Sequence, residues 1–164
     1  MLLTQILEYE PDEKLHSPRE IVLVIDATFY GKRKDHLGTL VCKDLLLKEV
    51  IIWKHIDSET VFEYQQLIHQ LKMLGYTIKA IVIDGKRGLY KAFKDIPIQM
   101  CHFHQKKIVQ RYITMRPKLE ASKDFKKIVS RLTYTTEKNL TQKLDDWYEI
   151  YKDFLDEKSI SSTT

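Results

Sequence analysis

The 164-residue sequence predicts an α/β fold, a mixed five-stranded sheet with helices followed by an all-helical segment. Three observations predict it. Apolar runs rich in β-branched residues come first, at 21–31, 38–50 and 51–56. Helical and strand periodicities then alternate from 58 to 115. Beyond Pro117 only helical spacing remains.

Each element has a local cause. Residues 1–20 carry Pro11 and Pro18 among acidic and polar residues, and read as a short helix and an extended lead-in. IVLVIDATFYG (21–31) begins as a continuous apolar run, the pattern of a buried central strand. GTLVCKDLLLKEV (38–50) and IIWKHI (51–56) read as two more strands, which with the first make an antiparallel meander. Ser58 precedes a helix. In it Val61, Tyr64, Ile68 and Leu71 recur at helical spacing beside Leu67 and Leu74, and Gly75 suits its C-terminal cap. IKAIVIDG (78–85) reads as a fourth strand ending in Asp84 and Gly85. GLYKAFKD (88–95) is a short helix stopped by Pro97, and IQMCHF (98–103) a fifth strand. QKKIVQRYITM (105–115) is helical, with Ile108, Tyr112 and Met115 on one face. In the last helix, 137–157, Leu140, Leu144, Trp147, Tyr151 and Phe154 form a stripe. Such a stripe is more often core than a base-stacking surface; left uncovered, it favours self-association into a homo-oligomer.

The order, βββαβαβα and then helices, is that of the ribonuclease H-like fold. It divides the chain into a lead-in (1–20), a core (21–116) and the start of a helical insertion (117–164).

Composition narrows the function classes. Apolar residues make up 43% and charged residues 30%, a globular balance that excludes a wholly disordered chain. No apolar run is long enough to span a bilayer, and the N-terminus makes a poor signal peptide, so no membrane partner is expected. Two cysteines, Cys42 and Cys101, cannot build a disulfide framework, which fits a reduced, cytoplasmic chain. The net charge of +4 is uneven. Residues 101–134 hold nine basic and two acidic side chains, whereas residues 1–100 balance at fourteen each. That segment is either a phosphate-binding surface or a solvated helix face.

Two carboxylates stand out. Asp26 interrupts the apolar first strand, where an unpaired buried carboxylate would be costly. Asp84 ends the fourth, although Asp followed by Gly is also an ordinary turn signal. If strands one and four are neighbours, the two acids meet at one end of the sheet. A hard divalent cation, Mg²⁺ or Mn²⁺, relieves their repulsion and supports phosphodiester cleavage. Cys101, His102 and His104 form a second cluster. Cys101 and His104 make a C-x-x-H half-site for zinc, but no second ligand pair accompanies it. A Cys-His nucleophile would lack an orienting group, and plain packing at a strand end is the third option.

Taken in order, VIDATFYGKR, VIDGKRGLYKAF and IPIQMCHFHQKK resemble the catalytic core of a bacterial insertion-sequence transposase of the Mutator-like DDE group. The resemblance spans roughly residues 20–155. It implies catalytic, metal-binding roles for Asp26 and Asp84, and matches the family's C-x-x-H signature to Cys101 and His104. It also implies Mg²⁺ or Mn²⁺ as cofactor, double-stranded DNA (element ends and target) as partner, and strand transfer as the activity. Two family features are not found: the N-terminal helix-turn-helix region and the third carboxylate. Glu120, Glu137, Glu149 and Glu157 do not match the latter's position, so a truncated product is expected. Lys32, Arg33, Lys86, Arg87, Lys106, Lys107 and Arg111 surround the expected site and could contact phosphates. The alternatives are a non-enzymatic DNA-binding remnant and a ribonuclease H-like nuclease.

Overall fold

The structure is a computed structural model that describes residues 15–32 and 36–157. The chain falls into two compact units, one ending at Cys101 and one beginning at His102.

The first unit is built on five strands: β1 (Glu20–Tyr30), β2 (Leu37–Asp44), β3 (Val50–Ile56), β4 (Thr77–Ile83) and β5 (Ile98–Met100). Helix α1 (Val61–Met73) joins β3 to β4, and the short α2 (Leu89–Ala92) joins β4 to β5. The sheet order is β3-β2-β1-β4-β5. The first three strands are antiparallel, while β4 runs parallel to β1 and β5 parallel to β4. This mixed α/β architecture is compatible with a ribonuclease H-like fold.

Alternation in β1 divides its side chains. Ile21, Leu23 and Ile25 are buried, while Val22 and Val24 on the other face are half-buried and Asp26 is exposed. Leu40, Cys42, Ile81 and Ile83 join the buried set, and Tyr64, Leu67, Ile68 and Leu71 of α1 complete that core. Burial in this apolar layer pushes the Cys42 thiol up to about 12.

Helix α1 is capped at both ends. Thr60, two residues beyond the expected Ser58, accepts the Glu63 N–H on its hydroxyl at 3.3 Å. At the other end the Gly75 N–H bonds to the Lys72 carbonyl and the Tyr76 N–H to the Leu71 carbonyl. That pair is a Schellman motif, and it requires the positive φ of 88° that Gly75 adopts.

Several expected boundaries move. The run expected as one strand over 38–50 ends at Asp44, and Leu45, Leu46 and Leu47 form an exposed turn. The reason is Asp44, only 2% exposed, whose Oδ1 accepts the Leu46 and Leu47 N–H groups. A side chain that takes local amides offers the backbone an alternative to the ladder. Arg19 reaches the same carboxylate with Nε and Nη2, at 3.1 and 2.9 Å. The fourth strand stops at Ile83, before Asp84. The fifth stops at Met100, and His102 already begins a helix.

The second unit holds α3 (His102–Ile113), α4 (Glu120–Ser130), a single 3₁₀ turn (Leu132–Tyr134) and α5 (Glu137–Asp156). Trp147 on α5 stacks near Phe125, ring centroids 4.8 Å apart, and donates its indole N–H to the Ala121 carbonyl at 2.8 Å. Tyr151 donates to Asp124 at 2.7 Å. The inner part of the aromatic stripe thus packs on α4 with Trp147 and Tyr151 half-buried, while Phe154 is exposed. The apolar face expected on α3 turns out differently. Ile108, Tyr112 and Met115 are exposed, and Val109 and Ile113 instead share a groove with Lys126 and Val129 of α4. Among the described residues no helix is long and apolar enough to cross a membrane.

Candidate metal and nucleic-acid site

The parallel register of β1 and β4 sets Val24 opposite Val82. The next same-face position along each chain is Asp26 and Asp84, one inside β1 and one just past the end of β4. Both acids therefore stand two residues beyond the last paired positions of two adjacent strands. Asp26 is exposed, which removes the desolvation cost expected for it; the interruption of the apolar run falls on the less covered face. Asp84 is half-buried, and its Oδ1 accepts the Lys86 N–H at 3.1 Å. The turn role that Asp-Gly suggests is thus real, but it occupies one oxygen only. Among the described residues Oδ2 has no hydrogen-bond partner.

Tyr64 projects from α1 toward these acids. It is 1% exposed, and its hydroxyl donates to Glu59 Oε1 at 2.6 Å. Burial raises its pKa, and so do the hydrogen bond to Glu59 and the charges of Glu59, Asp84 and Asp26. All three carboxylates thus lie within electrostatic reach of one phenol. Glu59 Oε2 in turn stands 3.7 Å from the Lys86 ammonium.

These donors fit a hard cation in kind. Mg²⁺ is usually held by one or two carboxylates, with water and substrate phosphate filling the other positions. Asp26 and the free oxygen of Asp84 would supply such a pair. Among the described residues no group of three or more His, Cys, Asp or Glu side chains is arranged to hold a metal ion. Zinc at the C-x-x-H motif gains nothing from that result.

Glu59 also lines a cleft of about 510 Å³ at the end of β1, with Phe29, Tyr30, Lys32, His36 and Asp57 among its walls. Phe29 is half exposed there, and its ring lies over Gly38, where a Cβ would come within 2.7 Å.

The remaining expected residues are placed as follows. Cys101 closes the first unit and donates its N–H to the Ile83 carbonyl at 2.6 Å. His102 and His104 lie in the first turn of α3, and the His104 Nδ1 is buried without a partner among the described residues. Lys32 and Arg87 are exposed on the first unit, and Arg33 lies outside the described residues. Lys86 is engaged with Glu59. On α3, Lys107 and Arg111 are exposed, and the Lys107 ammonium sits 5.4 Å from the centre of the Phe103 ring. Lys106 instead donates to the Ser130 carbonyl at 3.0 Å and to Thr133 at 2.9 Å. On α4, Lys123 pairs with Glu120 and Lys127 with Asp124, so both acids of the basic segment 101–134 are taken up within one helix and its excess of positive charge stands.

Glu59 and Tyr64 are the residues that sequence reasoning missed. Tyr64 reads as one more apolar position of an amphipathic helix, and Glu59 follows the expected helix start at Ser58 with nothing local to mark it. Only the fold shows that the helix start and the end of β4 are wired together.

No protein-family model matches the chain, and no curated protein matches it. Among solved structures, one similar chain belongs to a cryo-EM structure of the simian T-cell lymphotropic virus intasome in complex with PP2A regulatory subunit B56 gamma. The identity is 17% and the TM-score 0.39, over 81% of this chain and 49% of that one. This chain thus spans about half the length of that neighbour. At that TM-score the likeness adds nothing to the topology described above.

Proposed function

We propose that the chain is a ribonuclease H-like catalytic core that cleaves and transfers DNA phosphodiesters with a divalent metal, kin to the Mutator-like DDE transposases. The observation that carries the reading is the register. The parallel pairing of β1 and β4 runs to Val24 and Val82, and Asp26 and Asp84 each follow two residues later. A cation bound there would polarise a phosphoryl oxygen and lower the pKa of an attacking water. Asp26 and Asp84 would hold it, with Asp84 contributing the oxygen that its turn leaves free. Exposed Arg87, in the turn after Asp84, would contact a phosphate without reading sequence, and exposed Lys107 and Arg111 give the second unit a phosphate-binding helix face of its own. In the cleavage step the water oxygen bonds to phosphorus and gives up a proton, while the bond to the 3′-oxygen breaks and that oxygen takes one. In the transfer step the freed 3′-hydroxyl oxygen bonds to a target phosphorus and loses its proton, and the target's own 3′-oxygen leaves and takes one.

The test is Mn²⁺ calorimetry and cleavage of a duplex oligonucleotide, with wild type, Asp26→Asn and Asp84→Asn. Each substitution is expected to weaken Mn²⁺ binding by at least about tenfold and to abolish metal-dependent cleavage. Wild-type cleavage that survives both substitutions would sink the reading. A second reading, a DNA-binding remnant without turnover, is favoured by one observation: no third ligand joins the two acids among the described residues. It predicts DNA binding with no metal-dependent cleavage.

A further inference from the structure

We propose that Glu59 and Tyr64 are positioning residues for Asp84, acting through Lys86. This rests on the metal-site reading above and adds residues to that site.

The wiring runs in one direction. Tyr64 is anchored in the core, so its hydroxyl is a fixed point. It donates to Glu59 Oε1 at 2.6 Å. The other oxygen of Glu59 faces the Lys86 ammonium at 3.7 Å, with both side chains about three-quarters covered. Lys86 then supplies the backbone N–H that Asp84 Oδ1 accepts at 3.1 Å. The carboxylate just past the end of β4 is therefore held by a chain that starts on a different element, α1.

Two features argue against simple surface pairing. A buried phenol must have a partner, and here the partner is a carboxylate rather than a backbone carbonyl. The turn it steadies, Asp84-Gly85-Lys86-Arg87-Gly88, lies between β4 and α2, outside both elements. Gly88 has a φ of 91°, and a Cβ there would meet Val61 of α1 at 3.1 Å, so the far end of the turn is also pressed against α1. Helix α1 fixes the turn at both ends. The Lys86 ammonium also offsets the negative charge of Glu59 beside the two acids, so Glu59 orients the turn without adding a bare charge to it.

The test is Mn²⁺ binding by calorimetry on wild type, Tyr64→Phe, Glu59→Gln, Glu59→Asp and Asp84→Asn, with far-UV circular dichroism on each. Tyr64→Phe removes one oxygen and keeps the packing. Tyr64→Phe and Glu59→Gln are expected to keep the wild-type spectrum and bind Mn²⁺ about tenfold more weakly, as other outer-sphere changes do. Glu59→Asp, which keeps the charge, is expected to recover part of the loss. Wild-type affinity in both Tyr64→Phe and Glu59→Gln, while Asp84→Asn loses binding, overturns the positioning role and leaves the metal site standing. No Mn²⁺ binding by the wild type overturns both. If Tyr64→Phe loses the folded spectrum, Glu59→Gln, changed at a partly exposed side chain, decides alone.

Discussion

Single side chains decide where the elements of this protein begin and end, and Asp44 is the clearest example. Burial pushes its carboxyl up, but the Leu47 and Leu46 N–H groups and Arg19 outweigh that and hold it below the usual carboxylate range. A depressed folded-state pKa stabilises the protein at pH values above the unfolded carboxylate value near 4, and that contribution is lost as pH falls through the folded value. The hairpin should therefore weaken in acid. Thermal unfolding followed from pH 7 to pH 2 is expected to show a fall in midpoint below about pH 4 that is smaller in Asp44→Asn. At pH 7, Asp44→Ala is expected to cost about 2–4 kcal/mol, because two amides and a guanidinium lose a buried partner. The same residue explains a misread boundary. Leu45, Leu46 and Leu47 extend an apolar run, and only the competition of one carboxylate for their amides turns them outward.

At the scale of elements, much was legible from the sequence, because periodicity and punctuation agree. Val61, Tyr64, Leu67, Ile68 and Leu71 sit where helical spacing puts them, and Gly75 ends the helix as glycine commonly does. Gly75→Ala tests that ending. Its φ of 88° strains any residue with a Cβ, and the added atom would meet Pro18 at 3.1 Å. Urea unfolding should show a loss of about 1–2 kcal/mol. The candidate site was legible in part, since Asp26 and Asp84 are singular residues in patterned runs. What the sequence concealed was contact between elements distant along the chain. Nothing local in Glu59 or Tyr64 marks a link to the turn after β4, and nothing in Lys106 marks the carbonyl it reaches on α4. The amphipathic face of α3 was misjudged for a related reason. Its apolar residues lie on two sides, and packing against α4 chose Val109 and Ile113 over Ile108 and Tyr112.

For the whole molecule, charge and topology set the behaviour. The DNA-binding reading assigns phosphate contacts on α3 to Lys107 and Arg111, both exposed. Two such contacts give a slope of log affinity against log salt of about −2, roughly 12-fold between 50 and 200 mM. Fluorescence anisotropy with a labelled duplex is expected to show that slope, and Lys107→Ala should lower its magnitude by about one while weakening all sequences alike. A salt-independent affinity would rule out phosphate contacts as the source of binding. The topology has its own consequence during synthesis. β1 lies at the centre of the sheet, yet β4, its neighbour on one side, leaves the ribosome only after β2, β3 and α1. Until then the nascent chain can form only the antiparallel half, with Ile21–Val24 presenting an open edge to any other strand nearby. The emergence of residues 77–83 is therefore the event that closes this edge, and translation paused before it leaves the chain most prone to aggregate.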